Sequence, residues 1–147
     1  MNVFTSFSIA GAALALCACS LLGEPKPSGE TAVVKPGFWG AAYRGGYVEI
    51  VSIDGVQPSW RLRSALEISA GDRAALFYVY LCNEGPRLCM SGVSIAQAQV
   101  SFRAQGGHAY RPRAREQVNG SNRFWVWVED AASGEVAGGT VPPAAGS

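Results

Sequence analysis

Asn119-Gly120-Ser121-Asn122-Arg123-Phe124-Trp125-Val126-Trp127-Val128-Glu129 is the stretch that decides the fold class. Asn-Gly is the strongest short hairpin signal, because both residues accept a positive φ at little cost. From Arg123 to Glu129 the uncharged residues are all aromatic or β-branched, a content that suits a pleated, half-buried strand. The reading is a hairpin: a strand over His108 to Arg115, the Asn119-Gly120 turn, then the Trp-rich strand.

Working outward, the composition agrees. Eighteen Gly and eight Pro with 16% charged residues point to a turn-rich β protein rather than a helical one. Tyr47 to Ile53 is a strand candidate, with Val48 and Ile50 on one face and Tyr47, Val51 and Ile53 on the other. It ends at the Asp54-Gly55 turn. Trp60, Leu62, Leu66 and Ile68 alternate with Arg61, Arg63 and Glu67, the pattern of a half-buried strand, although Ser64-Ala65 also suits a short helical turn. After the Ser69-Ala70-Gly71-Asp72 turn, Ala74 to Cys82 is apolar on both faces and reads as a central strand. Val93 to Ala104 follows, with Val100, Phe102 and Ala104 inward and Gln99, Ser101 and Arg103 outward. Gln105-Gly106-Gly107 turns it back, and Glu135 to Thr140 is a weak last strand. The expectation is an all-β chain: a small antiparallel β-sandwich of six to seven strands over residues 43–140. Residues 141–147 read as a frayed tail.

The N-terminus is of another kind. No charged side chain occurs from Met1 to Gly23, and Ile9 to Leu22 is mostly Ala, Leu and Cys. A run of this length is a signal-peptide core or a marginal membrane span, and the small residues Ala18 and Ser20 favour cleavage. Leu16-Cys17-Ala18-Cys19 resembles the lipobox of bacterial lipoproteins, although no Lys or Arg precedes it. The resemblance implies a signal peptide over 1–18, cleavage before Cys19 and acylation (palmitate or similar chains) of that thiol. Ser20, rather than Asp, implies sorting to the outer membrane, facing the periplasm. An uncleaved anchor or an ordinary secretory signal are the other readings. Two or three acyl chains anchor durably where one does not. Residues 19–42, with three Pro and scattered charge, read as a tether spanning roughly 25 Å.

Cleavage before Cys19 leaves 129 of the 147 residues, one domain's worth. All 12 Lys+Arg and 11 Asp+Glu lie in that part, so no bulk field argues for nucleic acid. Two of the four cysteines belong to the signal. Cys82 and Cys89 bracket Asn-Glu-Gly-Pro-Arg-Leu, a turn sequence, and export permits their oxidation. A disulfide across that loop is expected, contributing about 2–2.5 kcal/mol in the chain-entropy model. The other reading, half of a metal site, lacks soft ligands.

A second resemblance rests on short motifs: Ile53-Asp54-Gly55, Gly71, Gly107-His108-Ala109-Tyr110, Trp127-Val128-Glu129-Asp130 and Ser133-Gly134-Glu135-Val136. Together they resemble small bacterial envelope lipoproteins with PEGA-like β-sandwich domains, over roughly residues 47–137. The resemblance implies a fold and an envelope role and names no catalytic residue.

Three features qualify as candidate sites. Arg111, Arg113 and Arg115 alternate, so their guanidiniums share one strand face roughly 6–7 Å apart. Such a row can clamp phosphates or carboxylates; equally, with Pro112, it suits a charged edge strand that blocks edge pairing. Trp125 and Trp127 share a face and can stack on sugar rings, unless Phe38-Trp39 or Tyr43 covers them. His108, the only histidine, reads as a turn-flanking residue. A pocket joining it to Glu116 or Asp130 would favour an enzyme. No metal-ligand cluster or nucleophile motif occurs, so no enzyme activity, metal or cofactor is expected. The functional expectation is a lipid-anchored binding or structural module of the envelope. Its alternative is recognition of an anionic glycan or lipid headgroup through Arg111, Arg113, Arg115, Trp125 and Trp127. The partners implied are the membrane, through lipid on Cys19, and an envelope protein or glycan.

Overall fold

The structure, a computed structural model, describes residues 25–41, 44–59, 65–82, 93–118 and 120–144. All regular structure in them is β, and no helix among the described residues is long and apolar enough to cross a membrane. The strands are β1 (Thr31–Val34), β2 (Gly37–Ala41), β3 (Arg44–Ile53), β4 (Leu66–Ser69), β5 (Gly71–Cys82), β6 (Val93–Ala104), β7 (Ala109–Glu116), β8 (Phe124–Asp130) and β9 (Val136–Gly139).

These strands form one mixed sheet in the order β2-β3-β5-β6-β9-β8-β7-β1-β4. The hydrogen bonds therefore do not divide into the two sheets of the expected sandwich, and the described strands number nine rather than six or seven. The sheet is also not wholly antiparallel: β1 runs parallel to β7, with Val33 N–H donating to His108 O (3.0 Å) and Lys35 N–H to Tyr110 O (2.9 Å). Pro112 has no N–H to continue this ladder, which ends at Tyr110.

β1 and β2 fall within the stretch read as a tether, and this is the largest correction. Thr31-Ala-Val-Val34 is too short to show a period, and Ala32, Val33 and Val34 are all fully buried. A run covered on both faces loses the alternation that marks an ordinary strand. Two residues later the chain pairs with the far end of the sheet, Gly37 lying opposite Val48. Gly37 also lies against the backbone of Pro112, so β2 bridges β3 and β7 and curls the sheet around one interior.

That interior is a single cluster built from the inward faces of every long strand: Val48, Ile50, Phe77, Val79, Val100, Phe102, Ala114, Val126 and Val128 among others. The inward residues predicted for β6 are the buried ones. β5 is central, flanked by β3 and β6, but alternates: Ala75, Phe77 and Val79 are buried, while Leu76, Tyr78 and Tyr80 are half-buried. In β3 the predicted faces hold only as far as Ile50. A bulge between Ile50 and Ser52 switches the pleat, so Ile53 joins Val48 and Ile50 in the main core instead of lying on the face of Tyr47, which is buried separately against Tyr80. The half-buried strand read from Trp60 is described only as β4; residues 60–64 lie outside the described residues.

Turn chemistry follows the sequence closely. Asp54 and Gly55 both take positive φ, 49° and 79°, the pair a type I′ turn requires. The Asp54 carboxylate then accepts from Ala74 N–H (2.9 Å) and from the Arg73 guanidinium (2.7 Å), fastening the turn to β5. These bonds, the Ala74 amide foremost, hold its carboxyl below the usual range. Between β7 and β8 the loop is longer than a two-residue hairpin. Ser121 N–H donates to Val118 O and Gln117 N–H to Arg123 O, so the connection is drawn together before β8 begins; Asn119 itself lies outside the described residues.

Closure of the curl leaves no room at Gly37, where a Cβ would collide with the Pro112 carbonyl oxygen. Gly37→Ala is expected to destabilise the fold by about 2–3 kcal/mol, as overpacking against backbone does. The urea midpoint should fall accordingly, whereas Gly29→Ala, where a Cβ meets nothing, should shift it little.

Candidate functional site

β7 and β8 pair directly, Arg111 with Glu129, Arg113 with Trp127 and Arg115 with Trp125. Directly opposed residues share a face, and here it is the outward one, because Pro112, Ala114, Val126 and Val128 point into the core. The Arg row and the Trp pair, separate features in the sequence, are thus one surface in which each of two guanidiniums stands opposite an indole.

The centre of this surface is held in place. Glu129 accepts from Arg113 Nε (3.1 Å) on one oxygen and from the Trp127 indole N–H (3.3 Å) on the other. Arg113 also donates to the Phe38 carbonyl (3.4 Å). Arg111 and Arg115 have no ion-pair partner among the described residues, leaving a cation on each side of the locked centre. Both Trp side chains are half-buried. Beside Trp127 on β9 stands Gly139, which has no side chain to cover it. The Phe38 ring lies by Tyr47 instead (6.5 Å between centroids); Tyr43 lies outside the described residues.

The strand order does not favour the edge-blocking reading of the Arg row: β7 is interior, with β8 paired along one side, β1 paired at Ala109 and Tyr110 on the other, and β2 packed beside it beyond that. A further aromatic group, unassigned in the sequence, lies on β3 and β5. Tyr47 stacks on Tyr80 (4.7 Å, 4°). Burial, then a hydrogen bond to Glu49, raises the Tyr80 hydroxyl far above its ordinary pKa.

His108 lines a second feature, an open pocket of about 200 Å³ at the end of the β7–β8 ladder. Its Nδ1 lies 2.7 Å from Asp130 Oδ2. The other Asp130 oxygen accepts from Ala132 N–H (2.9 Å), Ser133 N–H (2.8 Å) and the Ser133 hydroxyl (3.1 Å). The Asp-x-x-Ser-Gly run is therefore a turn whose backbone is gathered by one carboxylate. The Ser133 amide first, and the His108 ring second, hold Asp130 down at about 2 against the opposing effect of burial. The Gly-x-x-Tyr motif has a parallel use: the Tyr110 hydroxyl accepts from Gln105 N–H (2.8 Å), closing the preceding turn.

His108 and Asp130 thus meet as the sequence allowed, while Glu116 lies near the far end of β7 and bonds Asn122 N–H. The pair has the orientation of a carboxylate-positioned base. Ser133 is on the carboxylate, however, and not at Nε2, so this geometry supplies no activated nucleophile. Among the described residues no group of three or more His, Cys, Asp or Glu is placed to hold a metal ion. Cys19 and Cys89 lie outside the described residues, and Cys82 ends β5, so the lipid site and the disulfide are not described. Searches against family models, curated proteins and solved structures find no match to this chain.

Because the folded-state pKa of Asp130 lies below its unfolded value, its contribution is complete above about 4 and is lost as pH falls towards 2. Asp130→Asn should flatten that part of the acid-unfolding curve. At neutral pH Asp130→Ala should cost about 2–3 kcal/mol, since several charge-assisted bonds are removed; equilibrium denaturation at both pH values checks this.

Proposed function

We propose that this chain is a non-enzymatic binding module of the bacterial envelope, and that the outer face of β7 and β8 binds anionic glycan. The observation that carries the reading is the register Arg115–Trp125, Arg113–Trp127. Indole faces stack on sugar rings and guanidiniums take carboxylate or phosphate in a bidentate fork. An acidic polysaccharide offers both at a repeat of a few ångströms, as the ladder does. Glu129 keeps Arg113 and Trp127 in one arrangement, which lowers the ordering cost of binding.

The N-terminal signal supports the location. Lipid on Cys19 would hold the domain at the outer membrane, facing the periplasm, where acidic glycan is the surrounding matrix, and the same oxidising compartment would close Cys82–Cys89. Since Ser28 is already bonded to Thr31 and Glu30 to Ala70, the tether in this reading ends before Ser28, shorter than the composition suggests. The resemblance to PEGA-like envelope lipoproteins agrees with this role.

Replacing Arg111, Arg113 and Arg115 together with Ser should reduce retention on an immobilised acidic polysaccharide about tenfold or more in low salt. Wild-type retention should fall steeply as salt is added. All three side chains point outward, so the strand content by circular dichroism should persist. Retention unchanged in the variant, or loss confined to anionic lipid vesicles, overturns the glycan reading.

A further inference from the structure

The His108 pocket is not used by the Arg–Trp face, yet the two adjoin. Consecutive β7–β8 pairs run from Arg111–Glu129 on the outer face to Tyr110–Asp130 at the pocket wall. Its polar lining comes from three parts of the chain: Arg103 and Gln105 around the end of β6, His108 and Tyr110 around the start of β7, and Asp130, Ser133 and Glu135 from the end of β8 onward. Among the described residues neither the Arg103 guanidinium nor the Glu135 carboxylate has an ion-pair partner.

The Asp130 carboxylate is already engaged by four contacts, the His108 ring on one oxygen and two backbone amides and the Ser133 hydroxyl on the other. An ionised carboxylate only accepts, so His108 must donate through Nδ1. In its neutral form the ring presents the Nε2 lone pair, and it is nearly half exposed, at 47%. Its plane is set from both sides, by Asp130 and by the Tyr110 ring stacked at 6.3 Å.

With the ring neutral, the pocket offers the Arg103 cation and two acceptors, His108 Nε2 and the Glu135 carboxylate. A ligand matching it carries an anionic group for Arg103 and hydroxyls that donate to Nε2 and to Glu135. We propose that the pocket binds a single acidic sugar, a uronate, with its carboxylate on Arg103 and its hydroxyls on His108 and Glu135. A volume of about 200 Å³ is enough for one such ring, and the open mouth leaves the rest of a chain outside. The choice of a sugar rests on the glycan reading of the outer face. In that reading the pocket takes the end unit of a chain whose interior lies along the ladder.

The single histidine makes the test clean, because its imidazole resonances in a nitrogen–carbon correlated NMR spectrum belong to His108 alone. Titration of the protein with glucuronate should give a saturable shift of the ring signals below about 10 mM. Glucose, which lacks the carboxylate, should bind at least about tenfold more weakly, and alanine, a carboxylate without hydroxyls, likewise. Arg103→Gln and Glu135→Gln should each abolish saturation, while the triple Arg111, Arg113, Arg115 to Ser variant should bind glucuronate as the wild type does. That last comparison separates the two sites: failure of the outer face leaves the pocket shift intact, and the reverse. No saturable shift, equal shifts with glucose or alanine, or a shift retained in both Gln variants overturns the proposal.

Discussion

The ladder from the amides of Val33 and Lys35 to the carbonyls of His108 and Tyr110 is the constraint on which the rest depends. It places β1 beside β7, and only two residues separate β1 from β2, which pairs with β3 at the other end of the sheet. A short covalent link thus joins what would be two distant edges. The sheet must curl, and the curl gives the inward faces of β3, β5, β6, β7 and β8 a common interior. Pro112 ends the ladder and Gly37 permits the close approach that follows it. A larger residue at 37 would not give the same arrangement.

The same strands carry the functional features. The pleat of β7 puts Pro112 and Ala114 in the core and so Arg111, Arg113 and Arg115 on the outer face, and β8 brings Trp125, Trp127 and Glu129 against them. At the other end, His108 supplies a carbonyl to Val33 and its ring to Asp130. Asp130 in turn gathers the loop that leads to β9, and β9 joins β8 to β6. The Arg–Trp face, the pocket wall and the closure of the sheet are consequently parts of one connected set of contacts.

Much of this was legible in the sequence where a pattern repeats. The alternation in Val100–Ala104, in Arg111–Arg115 and in Phe124–Val128 assigns inward and outward faces correctly. Asp54-Gly55 and Ser133-Gly134 mark turns that form. What was not legible lacks a period. Thr31–Val34 is too short and too buried, and its partners lie about 75 residues away in β7. The bulge after Ile50 reverses a pleat that an unbroken alternation predicts. The union of the Arg row with the Trp pair is a matter of register, which strand patterns alone do not set beyond the choice of face. His108 and Asp130 were each visible, but their contact depends on two turns meeting.

Hydrogen exchange at β1 tests closure of the sheet most directly. If the segment from Thr31 is part of the fold, the amides of Val33 and Lys35 open only with the global transition. Their protection should then be of the same order as that of Phe77 and Val79 in β5. Exchange of Val33 and Lys35 at the rate of an unstructured chain, with β5 still protected, would contradict it: residues 31–41 would then be a tether after all, and the sheet would not close.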